Sequence, residues 1–382
     1  GGNIELKGGN SNIGIYVVNK YTNSSGTTVN TGGAVKSTGD VKLDGGKGNL
    51  AIYAKGSTRP SVPSVVNETV SVRKVASNNT ENSVAIFASD DPGASNGSVV
   101  KVTGGIEVKN ATVSANPTIA GQENAGAVYA TGKNTSVNID MPAISPATTP
   151  ATPTTPNIEV KGKEIVTIDP VTGAITGTGN YTGFGLYAGK GAQISAKYNN
   201  IKVEDGGTAV ASVGSDGIND SNIDLSGTAT NPGSTVEYKG NGYALYAANG
   251  GSINMTNAKL ILDGNAVGYE KVFGAPFKIT TSGMSIHVKS NDVTIMNIRN
   301  ANTPLNLSTL SSTLNSWAGL STTPTHDPNA TNYKMAAIDG LSAYNIDQNL
   351  DRKAVANGTA SANANTFVRN LAVQKAKVNQ LP

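Results

Sequence analysis

The side chains able to do chemistry are few and scattered. His287 and His326 are the only histidines, and cysteine is absent. Thiolate metal sites, redox dithiols and disulfides are therefore excluded. GASNG, from Gly93 to Gly97, has the G-x-S-x-G spacing of a nucleophile elbow. That motif needs a sharp strand-to-helix turn and a histidine base. Here it lies in a loop between β signals, and a Gly- and Ser-rich chain produces the spacing by chance. GGKGNLAIY, from Gly45 to Tyr53, is close to the calcium-binding nonapeptide, but Leu50 stands where the aspartate belongs. GGNSNIGIY, from Gly8 to Tyr16, lacks it too. Asp216, Asp220 and Asp224 lie four apart, which is not a calcium-loop spacing, so they read as a polar corner. No cofactor and no metal are expected.

Two further groups merit weighing. Glu204 and Asp263 stand near the ends of equivalent strands, where two carboxylates across a groove would act as acid and base on a glycosidic bond. A carboxylate before glycine is more often a turn former, and the reading is that the chain is not an enzyme. Trp317, the sole tryptophan, sits on an amphipathic segment where packing is its ordinary role. With His326, Asp327 and Asn329 in the loop that follows, it would present one aromatic plane and several polar groups, which suits sugar hydroxyls. These four residues form the candidate ligand-binding group.

The elements that must position them are written in a repeat. One line recurs: IGIYVV, LAIYAK, VAIFAS, GAVYAT, FGLYAG and YALYAA, with TAVASV (Thr208 to Val213) and NAVGYE (Asn265 to Glu270) as degenerate copies. Each line is small–aliphatic–aromatic–Ala. A glycine turn follows, then a short alternating strand (AQISA, SINM), a polar corner, and a third strand (NIKVE, KLILD). Three short strands per unit of about 23 residues cannot form a sheet alone, but copies stacked about 4.8 Å apart can. The spacing predicts an all-β chain folded as a right-handed parallel β-helix, with inserted loops. A sandwich gives no reason for one fixed line per unit. Alternation turns the aliphatic inward and leaves the aromatic outward and partly shielded.

The boundaries follow from where the line lapses. Residues 1–299 carry the repeats. MPAISPATTPATPTTP, residues 141–156, holds five prolines and is a looped-out insertion, since proline cannot donate to a ladder. Residues 300–332 form a helical and loop excursion: Leu307, Leu310, Leu314 and Trp317 have helical spacing, and residues 322–329 are a loop. Residues 333–382 continue the chain: Met335 to Asp347 returns to β, and Thr366 to Leu381 reads equally as helix or strand.

Composition points away from chemistry and from nucleic acid. Charged residues are 14% against roughly 25% in ordinary soluble domains. The balance of 29 basic and 26 acidic residues gives +3, with no basic stripe to neutralise a phosphate backbone. Neutral polar side chains must cover the surface. The chain opens at Gly1 without methionine or signal peptide and is read as a piece of a longer one.

Lines such as GFGLYAGKGAQI and GYALYAANGGSINM, and above all Tyr333 to Gln380, resemble the passenger regions of large fusobacterial type V autotransporter adhesins. The resemblance implies secretion through an outer-membrane barrel, absent here, which would be the only link to a membrane. It implies display at the bacterial cell surface and binding to host-cell glycan or protein receptors and to other bacteria. The fragment is expected to be monomeric. Segments breaking the repeat, within residues 16–53, 141–156 and 305–329, are where specificity would sit. A spacer without ligand is the alternative, and a β-helical polysaccharide hydrolase is the weaker one.

Overall fold

A computed structural model describes residues 2–338 apart from 19, 23–24, 26–27, 31–33, 57–68, 91–96, 114–124, 143–154, 169–174, 215–220, 273–277 and 300–323. Three parallel sheets run the length of this part. Sheet I passes coil by coil through Ile4–Lys7, Asp40–Asp44, Lys74–Asn78, Ile106–Thr112, Ile158–Lys161, Asn200–Glu204, Thr235–Lys239, Lys259–Asp263, Ser285–Val288 and Thr325–His326. Sheet II holds the recurring line, from Ile13–Val18 through Leu50–Lys55, Val84–Ser89, Gly126–Thr131, Phe184–Gly189, Thr208–Val213, Tyr243–Ala248, Val267–Val272 and Thr294–Arg299 to Lys334–Ile338. Sheet III is built from the short strands between Val35–Lys36 and Ile279–Thr280. The chain visits II, III and I in turn, each strand pairing with its counterpart one coil away. This is a parallel β-helix.

Two antiparallel hairpins interrupt it. One pairs Lys20–Thr22 with Thr28–Asn30, and the other pairs Lys163–Ile168 with Ile175–Thr182. The segment expected to be helical, residues 305–320, lies outside the described residues, as does most of the proline-rich insertion. Thr325–His326, expected in a loop, pairs with Ser285–Val288 and adds a tenth strand to sheet I. The threonine and histidine are free to extend because the parallel edge beside them supplies ladder partners, which local sequence does not report.

The core is a column. Val41 and Leu43, Ile201 and Val203, and Leu260 and Leu262 point inward from sheet I, and Ile194, Ile223 and Ile253 from sheet III. Fully burying each such side chain contributes about 1.5–3 kcal/mol, and the contact is made with the coils above and below. Sheet II has its own irregularity. Its register runs from the first to the third residue of every strand, as in Leu50↔Val84 followed by Ile52↔Ile86. The second and third residues both join the inner column, Ala51 with Ile52 and Ala244 with Leu245. That second position is small from Gly14 through Gly268, and Ile295 is the first large residue to hold it. At Gly185 a Cβ would fall 2.6 Å from the Ala209 carbonyl and 2.8 Å from Ile201 Cγ2.

The corner from sheet II to sheet III is a tight turn in several coils. Asn249 (φ 50°) and Gly250 (φ 89°), like Lys190 (φ 53°) and Gly191 (φ 93°), occupy the left-handed region at both central positions. The Gly251 N–H donates to the Ala248 carbonyl at 2.8 Å, closing the turn. Two consecutive positive φ values explain Gly191 and Gly250, the glycines that follow the aromatic line in these coils.

The register sets the degenerate copy NAVGYE one residue away from a match of Tyr269 with Tyr246. Tyr243 pairs with Val267 and Leu245 with Tyr269, so Tyr269 replaces an inward aliphatic and is fully buried. Glu270 takes the place of the outward aromatic. A slip of one residue exchanges the faces, and aligning one tyrosine with another hides it.

Candidate functional site

Three features of the surface bear on function: the aromatic line, the charged face of sheet I, and a histidine cluster in the last described coil.

The aromatics do project outward from sheet II, with the aliphatics inward, as alternation requires. They are nevertheless buried: Tyr53, Phe87 and Tyr129 are 2–3% exposed. Tyr16, Tyr53, Phe87, Tyr129 and Tyr187 stack in sequence with ring centroids 4.8–5.3 Å apart and planes within 13°. With Leu50, Val84, Phe184, Tyr243 and Val267 they form a second apolar cluster outside the inner column. The shielding is more complete than alternation predicts, because it depends on what lies over the sheet. Only Tyr16, in the first coil, is an exposed large hydrophobic residue among those described, at 44%. Ala211 interrupts the line, Tyr246 resumes it, and Glu270 and Asn297 end it. Tyr243 donates its hydroxyl to Glu270 Oε2 at 2.8 Å and accepts from Asn297 Nδ2 at 2.7 Å, a buried polar group.

Burial has a titration consequence. Desolvation raises the Tyr187 phenol to about 12, and pushes Tyr129 and Tyr269 up as well. The folded state holds these protons more tightly than the unfolded one, so the stability they confer is whole below pH 10 and falls as pH rises toward 12. Fluorescence- or circular-dichroism-monitored denaturation is expected to show a steep loss of stability between about pH 10 and 12, with phenolate absorbance appearing together with unfolding. Phenolate absorbance that develops fully before any unfolding would contradict a buried stack.

The outer face of sheet I is a charge ladder. Lys161, Glu204, Lys239 and Asp263 are successive register partners, as are Glu159, Lys202 and Glu237. Lys202 lies 2.7 Å from Glu204 and 3.5 Å from Glu159, and Lys289 lies 2.7 Å from Glu237. At the other end Lys42 bridges Glu5 and Asp44 at 3.1 and 3.2 Å. In a parallel stack identical charges would sit above one another and repel; alternation removes that cost and penalises a shifted register. Each exposed pair is worth about 0–1 kcal/mol.

Glu204 and Asp263 both belong to this ladder. They are two coils apart with Lys239 between them in register. The Lys202 ammonium holds the Glu204 carboxyl below the ordinary carboxylate range. A general acid on a glycosidic oxygen needs the opposite displacement.

The candidate ligand-binding group is distributed differently from its place in sequence. Trp317 lies outside the described residues. His326 occupies an inward register position, opposite Val288. Its ring lies 5.9 Å from that of the buried Tyr333, and its Nδ1 is 2.9 Å from the Asp327 carbonyl oxygen. It therefore lies over the last described layer of the core. Asn329 is exposed in a turn closed by the Ala330 N–H donating to the Asp327 carbonyl.

Asp327 is drawn to a residue the sequence set aside. His287 Nε2 is 2.8 Å from Asp327 Oδ1, and His287 Nδ1 is 2.9 Å from Thr325 Oγ1. His287 lies 38 positions before Thr325, so no local pattern links them. Their shared orientation follows from sheet I: His287 and Thr325 are register partners, and Asp327 follows two residues later. The signal that would have found the pair is the strand SIHVK, which matches KLILD with His287 at an outward position.

Among the described residues no group of three or more His, Cys, Asp or Glu could hold a metal ion, and no helix is long and apolar enough to cross a membrane. No family model, curated protein or solved structure matches the chain.

Proposed function

We propose that this chain is a segment of a surface-displayed bacterial adhesin: a β-helical shaft that presents inserted segments to glycan or protein receptors on host cells and to other bacteria. The observation that supports the reading is where the insertions fall. Among the described strands, five connections from sheet II to sheet III are long, at residues 19–34, 56–69, 90–98, 214–221 and 273–278, against two from sheet I to sheet II, at 113–125 and 162–183, and two from sheet III to sheet I, at 139–157 and 225–234. Stacked coils place one corner in a single line along the shaft, so insertions there present one side to a partner. The shaft acts without turnover. Its low charge, and the ion pairing of the acidic groups on sheet I, favour display over catalysis, and the family resemblance supplies the cell-surface setting.

A specific observation favours the spacer reading as the second. Of the residues singled out for ligand contact, His326 and Asp327 are engaged within the chain, by Tyr333 and His287.

The test is binding by the whole chain to epithelial cells, to partner bacteria and to a glycan array. Binding is expected, with at least a tenfold loss when residues 57–68 and 91–96 are each replaced by an Asn-Gly turn. Binding undiminished in that shaft overturns the placement at this corner. No binding to any of the three surfaces leaves the spacer.

A further inference from the structure

We propose that Thr325 is a self-acylating side chain, its hydroxyl activated by His287 and Asp327 toward small activated acyl donors. This is independent of the adhesive reading and requires no turnover. Three polar groups stand in one connected line: Thr325 Oγ1 is 2.9 Å from His287 Nδ1, and His287 Nε2 is 2.8 Å from Asp327 Oδ1. A carboxylate only accepts, so Nε2 carries the ring proton and Nδ1 is left as the acceptor facing the hydroxyl. The other acceptor near Thr325 Oγ1, the Ile286 carbonyl oxygen, is more distant at 3.3 Å. The order nucleophile, base and orienting carboxylate is the arrangement by which a neutral hydroxyl is made nucleophilic.

The surroundings suit this. His287 and Thr325 are register partners on two paired strands, and Asp327 follows directly after the second, anchored by its N–H donating to the Val288 carbonyl at 2.8 Å. On its other side His287 has Ile261 as register partner, so the next strand offers the ring an apolar neighbour. Lys289, two residues along, is held by Glu237 at 2.7 Å. Thr325 is exposed, so a small ester reaches its oxygen.

In the step itself, Thr325 Oγ1 attacks the ester carbonyl carbon while His287 Nδ1 takes the hydroxyl proton. Collapse of the tetrahedral adduct breaks the bond to the leaving alkoxide, which takes that proton from Nδ1. One ester bond forms at Thr325, one ester bond breaks in the donor, and nothing is oxidised or reduced. Asp327 is a positioning residue: it fixes the tautomer and stabilises the imidazolium that forms.

The experiment uses the 382-residue chain and p-nitrophenyl acetate, read by intact mass and peptide mapping. One acetyl ester at Thr325 is expected, removable by hydroxylamine, unlike lysine amides. His287→Gln should slow its formation about 100-fold, the scale of general-base assistance. Asp327→Asn should slow it at least about tenfold. Thr325→Val should abolish the ester, and Thr325→Ser should retain it at position 325. Far-UV circular dichroism checks that each variant keeps its sheets. Absence of the ester from both the wild type and Thr325→Ser overturns the proposal. So does an acylation rate unchanged in a folded His287→Gln variant.

Discussion

Replacing Tyr129 by alanine is expected to destabilise the chain by about 3–5 kcal/mol, whereas Tyr16→Ala should cost less than about 1 kcal/mol. The two tyrosines hold the same place in the repeat, so sequence predicts equal effects. Their surroundings differ. Tyr129 is 3% exposed, stacks on Phe87 at 5.0 Å and on Tyr187 at 4.8 Å, and meets Phe184 edge-on at 6.4 Å. Tyr16 is 44% exposed and stacks on Tyr53 alone among the aromatic contacts described. Removing an enclosed ring leaves a cavity and breaks several ring contacts, each worth about 0.5–1.5 kcal/mol beyond area. In a stacked-coil protein the loss is felt first by neighbours. Hydrogen exchange should therefore speed up in Val84–Ser89 and Phe184–Gly189 before it does at either end, with urea midpoints giving the magnitudes. Equal, small shifts for both variants would mean that the outer stack is not a second core.

Asn199→Ala is expected to cost about 2–4 kcal/mol, more than its size suggests. The residue is 2% exposed at the corner that leads into sheet I. Its Nδ2 donates to the Ile139 and Lys197 carbonyls, both at 3.1 Å. Its Oδ1 accepts from Asn157 Nδ2 at 2.8 Å, and its backbone N–H donates to Ser234 Oγ at 3.0 Å. The side-chain amide thus ties its own coil to the one before, and the backbone N–H ties it to the one after. Alanine would remove three hydrogen bonds and take from the Ile139 carbonyl its side-chain donor, while the Lys197 carbonyl keeps the Met141 N–H and Asn157 Nδ2 keeps the Ile106 carbonyl; a stranded buried carbonyl costs about 1–3 kcal/mol. Asn199→Asp tests the polarity: a carboxylate cannot donate to the two carbonyls, so it should be at least as damaging at pH 7. A melting temperature unchanged by Asn199→Ala would rule out the ladder as a stabilising element.

Much of the β-helix was legible in the chain, and for one reason. A solenoid places equivalent residues in equivalent surroundings, so the physical requirement is written once per coil and seen several times. At Gly185 the small second residue is required by the Ala209 carbonyl of the next coil, and Gly191 and Gly250 after the line by two successive positive φ values. Where the repeat weakens, legibility went with it. Matching Tyr269 to Tyr246 placed the wrong residue outward, because two tyrosines look alike while the register is set by the pairing of Leu245 with Tyr269. Thr325–His326 has no local β signal strong enough to outweigh the prolines on either side of it, and only the waiting edge of Ser285–Val288 makes it a strand.

The candidate site shows the same division. Trp317, His326, Asp327 and Asn329 were grouped by nearness in sequence, and nearness in sequence says nothing about which face a side chain takes. The structure sets His326 in register with the buried Val288, exposed at the end of the described stack, and draws Asp327 to His287, 40 positions away. By itself the sequence determined the period, the identity of the strands that carry it and the inward column of aliphatics, since alternation and turn chemistry are local. Only the tertiary structure decided whether the outward tyrosines are wet or buried, which charges face one another on sheet I, and that Thr325, His287 and Asp327 share one line of hydrogen bonds. Those outcomes depend on what packs above a face and on coil-to-coil register, and both are properties of contacts between residues far apart in the chain.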